Sequence, residues 1–403
     1  MSAVLRVASG RTPPHTPPQP PPALAAQLAF LLLFPGFFAY HTLLGLGLIR
    51  AYLGGYFTPT ALLFLPLLLL AYRQLLHCAQ YRLHRVDFMF LAFLAYFLLI
   101  VAGNLAAGKN PRIVSDHLFE IVYLIDLFII FKVADFDAPR FQAATWTCLL
   151  AMSATVFYFA VDGAFYLAAL GASHDPDSVA TYQGFSRSYL LTLVALLGCR
   201  QPAWRRWLLY AVGLPTLFIN SARSEFGALL FLVPVVELYF TRHKLAAVGA
   251  ALLAVTVINS NQQALLAQIP SNRTLELLDL SQSTSANIRH QLNLDAWHTI
   301  AQHPLFGSYA SYAGGHYAHN VLSAWVDLGL FGFVFLLGIL TLPALHLFMA
   351  GFVQRRPSRH FARPWALLSM TLLLLALSHY FTDMLIGAAL GAYARYCAEH
   401  RHD

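Results

Sequence analysis

HNVLSAWVDLGLFGFVFLLGILTLPALHLFMA, residues 319–350, decides the fold. Its only formally charged residue is Asp327, and it exceeds the roughly 20 residues with which a helix crosses about 30 Å of hydrocarbon. Directly before it, GGHYAHN brings two histidines and an asparagine to the start of the apolar run. Similar runs recur on both sides, separated by short polar joints. Hydrophobic residues make up 58% of the 403 and charged residues 11%, far below the one-quarter charged that is usual in soluble domains.

The expected architecture is therefore all-α, a polytopic membrane protein of about twelve transmembrane helices with one large periplasmic loop that itself contains helix. The spans are read at 24–50, 58–76, 86–103, 112–134, 140–171, 180–198, 204–220, 222–240, 243–259, 319–350, 363–381 and 382–398. Residues 1–23 and 399–403 are expected to be cytoplasmic tails, the first proline-rich and disordered (RTPPHTPPQPPPA, 11–23). Residues 24–259 hold spans one to nine, 260–318 the periplasmic loop, and 319–398 spans ten to twelve.

Orientation follows from lysine and arginine, because basic joints stay cytoplasmic. With the N-terminus inside, every second joint is basic, and all but seven of the 25 basic residues fall inside. The seven outside are Arg50, Lys109, Arg112, Arg187, Arg223, Arg273 and Arg289. The net charge of +7 thus reflects topology, and no basic patch with interleaved aromatics marks a nucleic-acid partner. The cysteines, all near cytoplasmic ends, are expected to stay reduced.

Long loops usually carry function, and 260–318 is the longest. Within it, SANIRHQLNLDAWHTIAQHP (285–304) reads as a helix with Ser285 as cap, Ile288, Leu292, Ala296 and Ile300 on one face, and Pro304 past its end. Arg289 and Asn293 share a neighbouring face. Histidines beside a span are often plain interfacial residues. Here His316, His319, Ser323 and Asp327 would share one face if the helix continued back through them, and an ionisable residue within a span by default marks a polar cavity. Gly329 and Gly332 would permit close helix contact.

FINSARSEFGALLF, 218–231, joins two spans with almost no loop. Arg223 there either snorkels to lipid phosphate or pairs with Glu225, or it sets its guanidinium beside free helix N–H groups as an anion site. Arg187 in YQGFSRSYL opens another span in the same way. Three outward arginines with histidines nearby suit a phosphorylated ligand such as a lipid diphosphate. HDPD at 174–177 reads as a solvated turn rather than a cation site, and no metal-ligand spacing appears.

These tracts resemble the bacterial O-antigen ligase and polymerase superfamily. SARSEFGALL resembles its helix start. Arg289 followed by HPLFGSYASYAGGHYAHNVLSAWVDLGLFG resembles its signature of an arginine helix, Pro-Leu-x-Gly, His-Asn-x-x-Leu and Gly-x-x-Gly. The similarity covers 218–335. It implies a glycosyltransferase that takes a glycan from undecaprenyl diphosphate and passes it to a lipid A-core hydroxyl, or to a growing glycan if the chain is a polymerase, at the periplasmic face of the inner membrane without metal or other cofactor. By the resemblance, Arg223 and Arg289 handle the diphosphate and His319 activates the acceptor. Arg187, His316, Asn320 and Asp327 are assigned to substrate binding, although GFSRSYL departs from the family pattern around Arg187. Asp327 is expected to orient His319 or to line the cavity. The compact chain favours ligase. A transporter of lipid-linked sugars would show inverted halves, which this sequence lacks.

Overall fold

The computed structural model describes residues 22–50, 55–77, 83–108, 110–161, 163–165, 182–241, 284–312, 316–354 and 360–399, with isolated residues between 243 and 260. Among these residues the chain is helical, and the only extended pairing is an isolated bridge between Val161 and Ala164. The tails at 1–21 and 400–403, most of span nine and loop residues 261–283 lie outside the described residues.

Helices α1 (Pro22–Leu31) and α2 (Phe37–Gly45) run together through a π turn at Leu32–Gly36 that accommodates Pro35. There follow α3 (Phe57–His77), α4 (Arg85–Ala106), α5 (Pro111–Val133), α6 (Pro139–Tyr158), α7 (Tyr182–Leu197), α8 (Ala203–Ile219) and α9 (Arg223–Phe240). The loop helix α10 (Thr284–Gln302) precedes α11 (Leu322–Phe348), α12 (Ala362–Leu377) and α13 (Leu385–Glu399). Helix thus occupies the intervals read as spans one to eight and ten to twelve.

Among the described residues, four stretches are long and apolar enough to cross a membrane: Ala23–Gly45, Phe57–His77, Arg85–Ala106 and Leu322–Val353. Their outward leucines remain exposed, among them Leu63 at 69% and Leu99 at 72%, as expected of side chains that meet lipid tails. Span five was read too long, since α6 stops at Tyr158 and residues 166–171 lie outside the described set. Spans eleven and twelve were read as nearly contiguous, but a non-helical segment, residues 378–384, separates them. Its Asp383 caps α13 by accepting from Leu385 N at 2.9 Å.

α5 lies at the centre, packed against α13, α3, α1 and α4. It carries a buried ion pair with α4. Lys132 Nζ donates to Asp87, which also accepts from Tyr72 Oη at 2.8 Å and His84 N at 2.7 Å. Lys132 is 1% exposed and Asp87 0%, so losing one partner strands the other's charge. Asp87→Ala is expected to cost about 3–5 kcal/mol. The check is the unfolding midpoint of the detergent-solubilised protein; an unchanged midpoint would mean that Lys132 finds another anion or deprotonates without penalty.

α11 is broken at Gly329, where φ is +71°, a backbone region that side chains disfavour. The freed groups are met from outside the helix. Val326 O accepts from Ser308 N at 2.6 Å, Leu330 N donates to Leu305 O at 3.1 Å, and Leu328 O accepts from Tyr96 Oη at 2.7 Å. An unpaired backbone group in hydrocarbon costs several kcal/mol, so Pro-Leu-Phe-Gly at 304–307 is docked, backbone to backbone, into the break. A Cβ on Gly329 would stand 2.3 Å from Leu305 O. Gly329 therefore admits a loop, where helix contact was expected; Gly332 does meet a helix, with Tyr96 of α4 at 3.0 Å from its Cβ position.

Candidate functional site

Helices α8 and α9 turn through residues 220–222, with Ser221 at φ +65°. This tight reversal sets Arg223 at the first position of α9 and turns Glu225 inward, where it is 1% exposed. Nearby, Asn220 Nδ2 donates to Ser186 Oγ on α7 at 2.5 Å, which fixes the start of α7 against the same turn. Arg187 follows Ser186 and points to two carboxylates, Asp383 at 3.3 Å and Glu225 at 3.9 Å.

Opposite them stands His379, also in the 378–384 segment. Its Nδ1 lies 2.8 Å from Asp383 Oδ2 and its Nε2 3.8 Å from Glu225 Oε1. Burial by itself would raise the Asp383 carboxyl, but the Arg187 guanidinium and the His379 ring override it and hold it well below the usual carboxylate range. Asp383 is thus shared between the Arg187 guanidinium and the His379 ring.

These groups line a cavity of about 260 Å³. Its lining includes Arg187, Glu225, Arg289, Tyr317, His319, His379 and Asp383, from α7, α9, α10, the segment before α11 and the segment before α13. Arg289 reaches it because α10 buries Leu292, Ala296 and Ile300, the last two packed with Val326 of α11, which presents the neighbouring face inward. Three of those four expected face residues are buried; Ile288 is 55% exposed, one turn nearer the start of α10. Asn293 on that neighbouring face accepts from Asn320 Nδ2 at 2.8 Å, and Asn320 Oδ1 accepts from Leu322 N at 3.0 Å. Asn320 therefore ties α10 to the first turn of α11 and stands beside the cavity lining.

His319 is half-buried, its ring 4.6 Å from that of Tyr317. Burial pushes its pKa below the ordinary 6.5, and the neighbouring Arg289 guanidinium and His379 ring push in the same direction. The ring is neutral near pH 7. His316 is exposed and faces a different hollow, with Asp295, Thr299 and Ser311. Helix α11 begins only at Leu322, so the expected continuous face through both histidines does not form: Asn320 Oδ1 accepts from Leu322 N and Val321 N donates to Leu375 O, which ends the helix there.

Asp327 does not serve His319. It is 0% exposed, and it accepts from Ala310 N and Tyr312 Oη at 2.9 Å each and from Tyr380 Oη. It pins the 308–312 loop and the 378–384 segment to α11. Tyr380 also bonds His117 Nε2 at 3.1 Å, whose Nδ1 meets Tyr309 Oη at 2.8 Å.

Of the residues singled out in sequence, Arg187, Arg289 and His319 meet in one cavity. Arg223 is half-buried beside it, next to the lining residues Ser224 and Glu225. Sequence reading missed Glu120, Tyr317, His379 and Asp383. For His379 and Asp383 the available signal was SHYFTDM at 378–384, a polar interruption in an apolar tract.

Fold and site together define an all-helical protein, with helices able to cross a membrane, around a cavity of mixed charge. Set against known proteins, the chain matches no family description and no curated protein.

Proposed function

We propose that the chain is a membrane glycosyltransferase that moves a glycan from undecaprenyl diphosphate to an acceptor hydroxyl, with lipid A-core as acceptor. In this reading the chain crosses the inner membrane twelve times and the cavity faces the periplasm. The observation that supports it is the meeting of Arg289, Arg187 and a neutral His319 in one cavity.

Transfer from a diphosphate needs its leaving charge stabilised and the incoming hydroxyl deprotonated. Arg289 supplies planar donors that match phosphate oxygens. Arg187 contributes differently, because Asp383 and Glu225 already balance its charge; it holds α7, α9 and the 378–384 segment around the site. Arg223, at the start of α9, lies where a second phosphate oxygen would meet helix N–H groups. His319 takes the acceptor proton.

The test is transfer from an undecaprenyl-diphosphate glycan to purified lipid A-core with a chelator present, run beside a glycan acceptor on the same lipid carrier. Transfer to lipid A-core marks a ligase; extension of the glycan alone marks a polymerase. Movement of the lipid-linked sugar across vesicles without transfer would replace both with a transporter. In the same assay Arg289→Ala is expected to lose roughly 10²- to 10³-fold, the range for removing one fixed donor from a developing anion. An unchanged rate would reduce Arg289 to an interfacial anchor.

A further inference from the structure

Beside the cavity lies a second and larger chamber of about 580 Å³. Glu120, Tyr123, Tyr317 and Tyr380 line both, so the two adjoin. We infer that this chamber is a saccharide subsite, which receives a sugar ring of one substrate while the diphosphate and the reacting hydroxyl occupy the cavity beside it. This rests on the transferase reading above and adds where a saccharide sits.

The lining chemistry discriminates among the parts of a lipid-linked glycan. An isoprenoid or acyl tail needs an aliphatic wall, and Ile113 is the one aliphatic side chain in the chamber's described lining. A diphosphate needs an excess of positive charge, and here Asp116 offsets Arg112. A sugar ring needs what is present: carboxylates and hydroxyls to exchange hydrogen bonds with its own hydroxyls, and aromatic faces, whose negative potential suits the polarised C–H face of a pyranose. Tyr123, Tyr312, Tyr317 and Tyr380 supply those faces. The volume falls within the roughly 300–1,000 Å³ of small-molecule sites.

The walls are also fixed before anything binds. Tyr312 and Tyr380 are tied to Asp327, and Tyr380 is tied again to His117. Tyr123 Oη is tied to Thr58. Rings held in this way lose little freedom on binding. Asp116 and Arg112, both exposed, stand where a substrate would come in. The Asp327 network thereby acquires a use: it shapes the saccharide wall and leaves the acceptor proton to His319.

Asp116→Asn tests the subsite, because the residue is exposed and the substitution keeps its shape. Two lipid-free probes, delipidated core oligosaccharide and the glycan released from the donor, are titrated onto the purified full chain by saturation-transfer difference NMR. KM is measured in parallel for each lipid-linked substrate. Loss of a hydrogen bond to a carboxylate is expected to weaken one saccharide and to raise the matching KM by roughly tenfold or more. An effect on core oligosaccharide alone places the acceptor sugar in the chamber; an effect on the released glycan alone places the donor sugar there. Transfer with both KM values and both titrations unchanged would overturn the subsite and leave the transferase standing. Saccharide binding that depends on Asp116 in a chain that performs no transfer would keep the subsite and overturn the transferase.

Discussion

His319→Ala is expected to slow glycan transfer by roughly 10²- to 10⁴-fold, the range for a positioned general base. Two features make this histidine the base and not its neighbours. It lines the same cavity as Arg289 and Arg187, whereas His316 lines another hollow, so His316→Ala is expected to be mild. Unlike His379, it has no carboxylate on its ring among the described residues: His379 is occupied by Asp383 and Glu225.

The direction of the His319 shift sets the pH behaviour. A base works in its neutral form, and a pKa lowered from 6.5 keeps that form dominant down to more acid conditions. Transfer should therefore be flat across neutrality and fall only below pH 6.5, with one proton taken up on the inactive side. The His319→Ala protein should lose this acid limb along with its rate. Retention of the undecaprenyl diphosphate by the variant, measured by direct binding, separates loss of the base from loss of the fold. A variant that transfers at the parent rate would remove His319 from the mechanism.

Gly391→Val should markedly destabilise the folded protein, and Gly387→Val should do the same. Both glycines lie on α13 where it crosses α5. A Cβ at Gly391 would stand 2.2 Å from Phe128 O, and one at Gly387 2.2 Å from Leu124 O. The obstructing atoms are backbone carbonyls of a buried helix and cannot rotate aside. GAALG, 387–391, thus packs two helix backbones together through a small-xxx-small spacing. Overpacking in a core typically costs about 1–3 kcal/mol, and here it falls on the most extensive helix pair in the molecule, with α5 also carrying His117 and Glu120.

Detergent size-exclusion profiles and thermal midpoints give the measurement. Gly103→Ala on α4 and Gly338→Ala on α11 are the controls, since nothing lies within 4 Å of either Cβ position; each is expected to be neutral or slightly stabilising. A monodisperse Gly391→Val protein with the parent midpoint would show that α5 and α13 can part without cost.

Several features were legible in the sequence because each depends on residues close together in the chain. The apolar intervals became helices, since helix formation and transfer into hydrocarbon are sums over consecutive residues. α10 buries Leu292, Ala296 and Ile300 because their spacing puts them on one face. The joint at 220–222 is as short as SARSE implied, and its position brings Arg187 and Arg289 near the same end of the bundle.

Tertiary structure alone decided which polar groups meet. SHYFTDM is averaged away by its apolar flanks, yet its His379, Tyr380 and Asp383 hold the Arg187 cluster to the Asp327 network. Asp327 sits eight residues after His319 but bonds Tyr380, 53 residues away, because Gly329 breaks the helix and the 304–307 loop fills the gap. Glu225, which local spacing pairs with Arg223, turns toward Arg187 and His379. A helix face is set by the geometry of 3.6 residues per turn, whereas a buried charge takes whichever partner packing brings within a few ångströms, since leaving it alone costs more than any local preference gains.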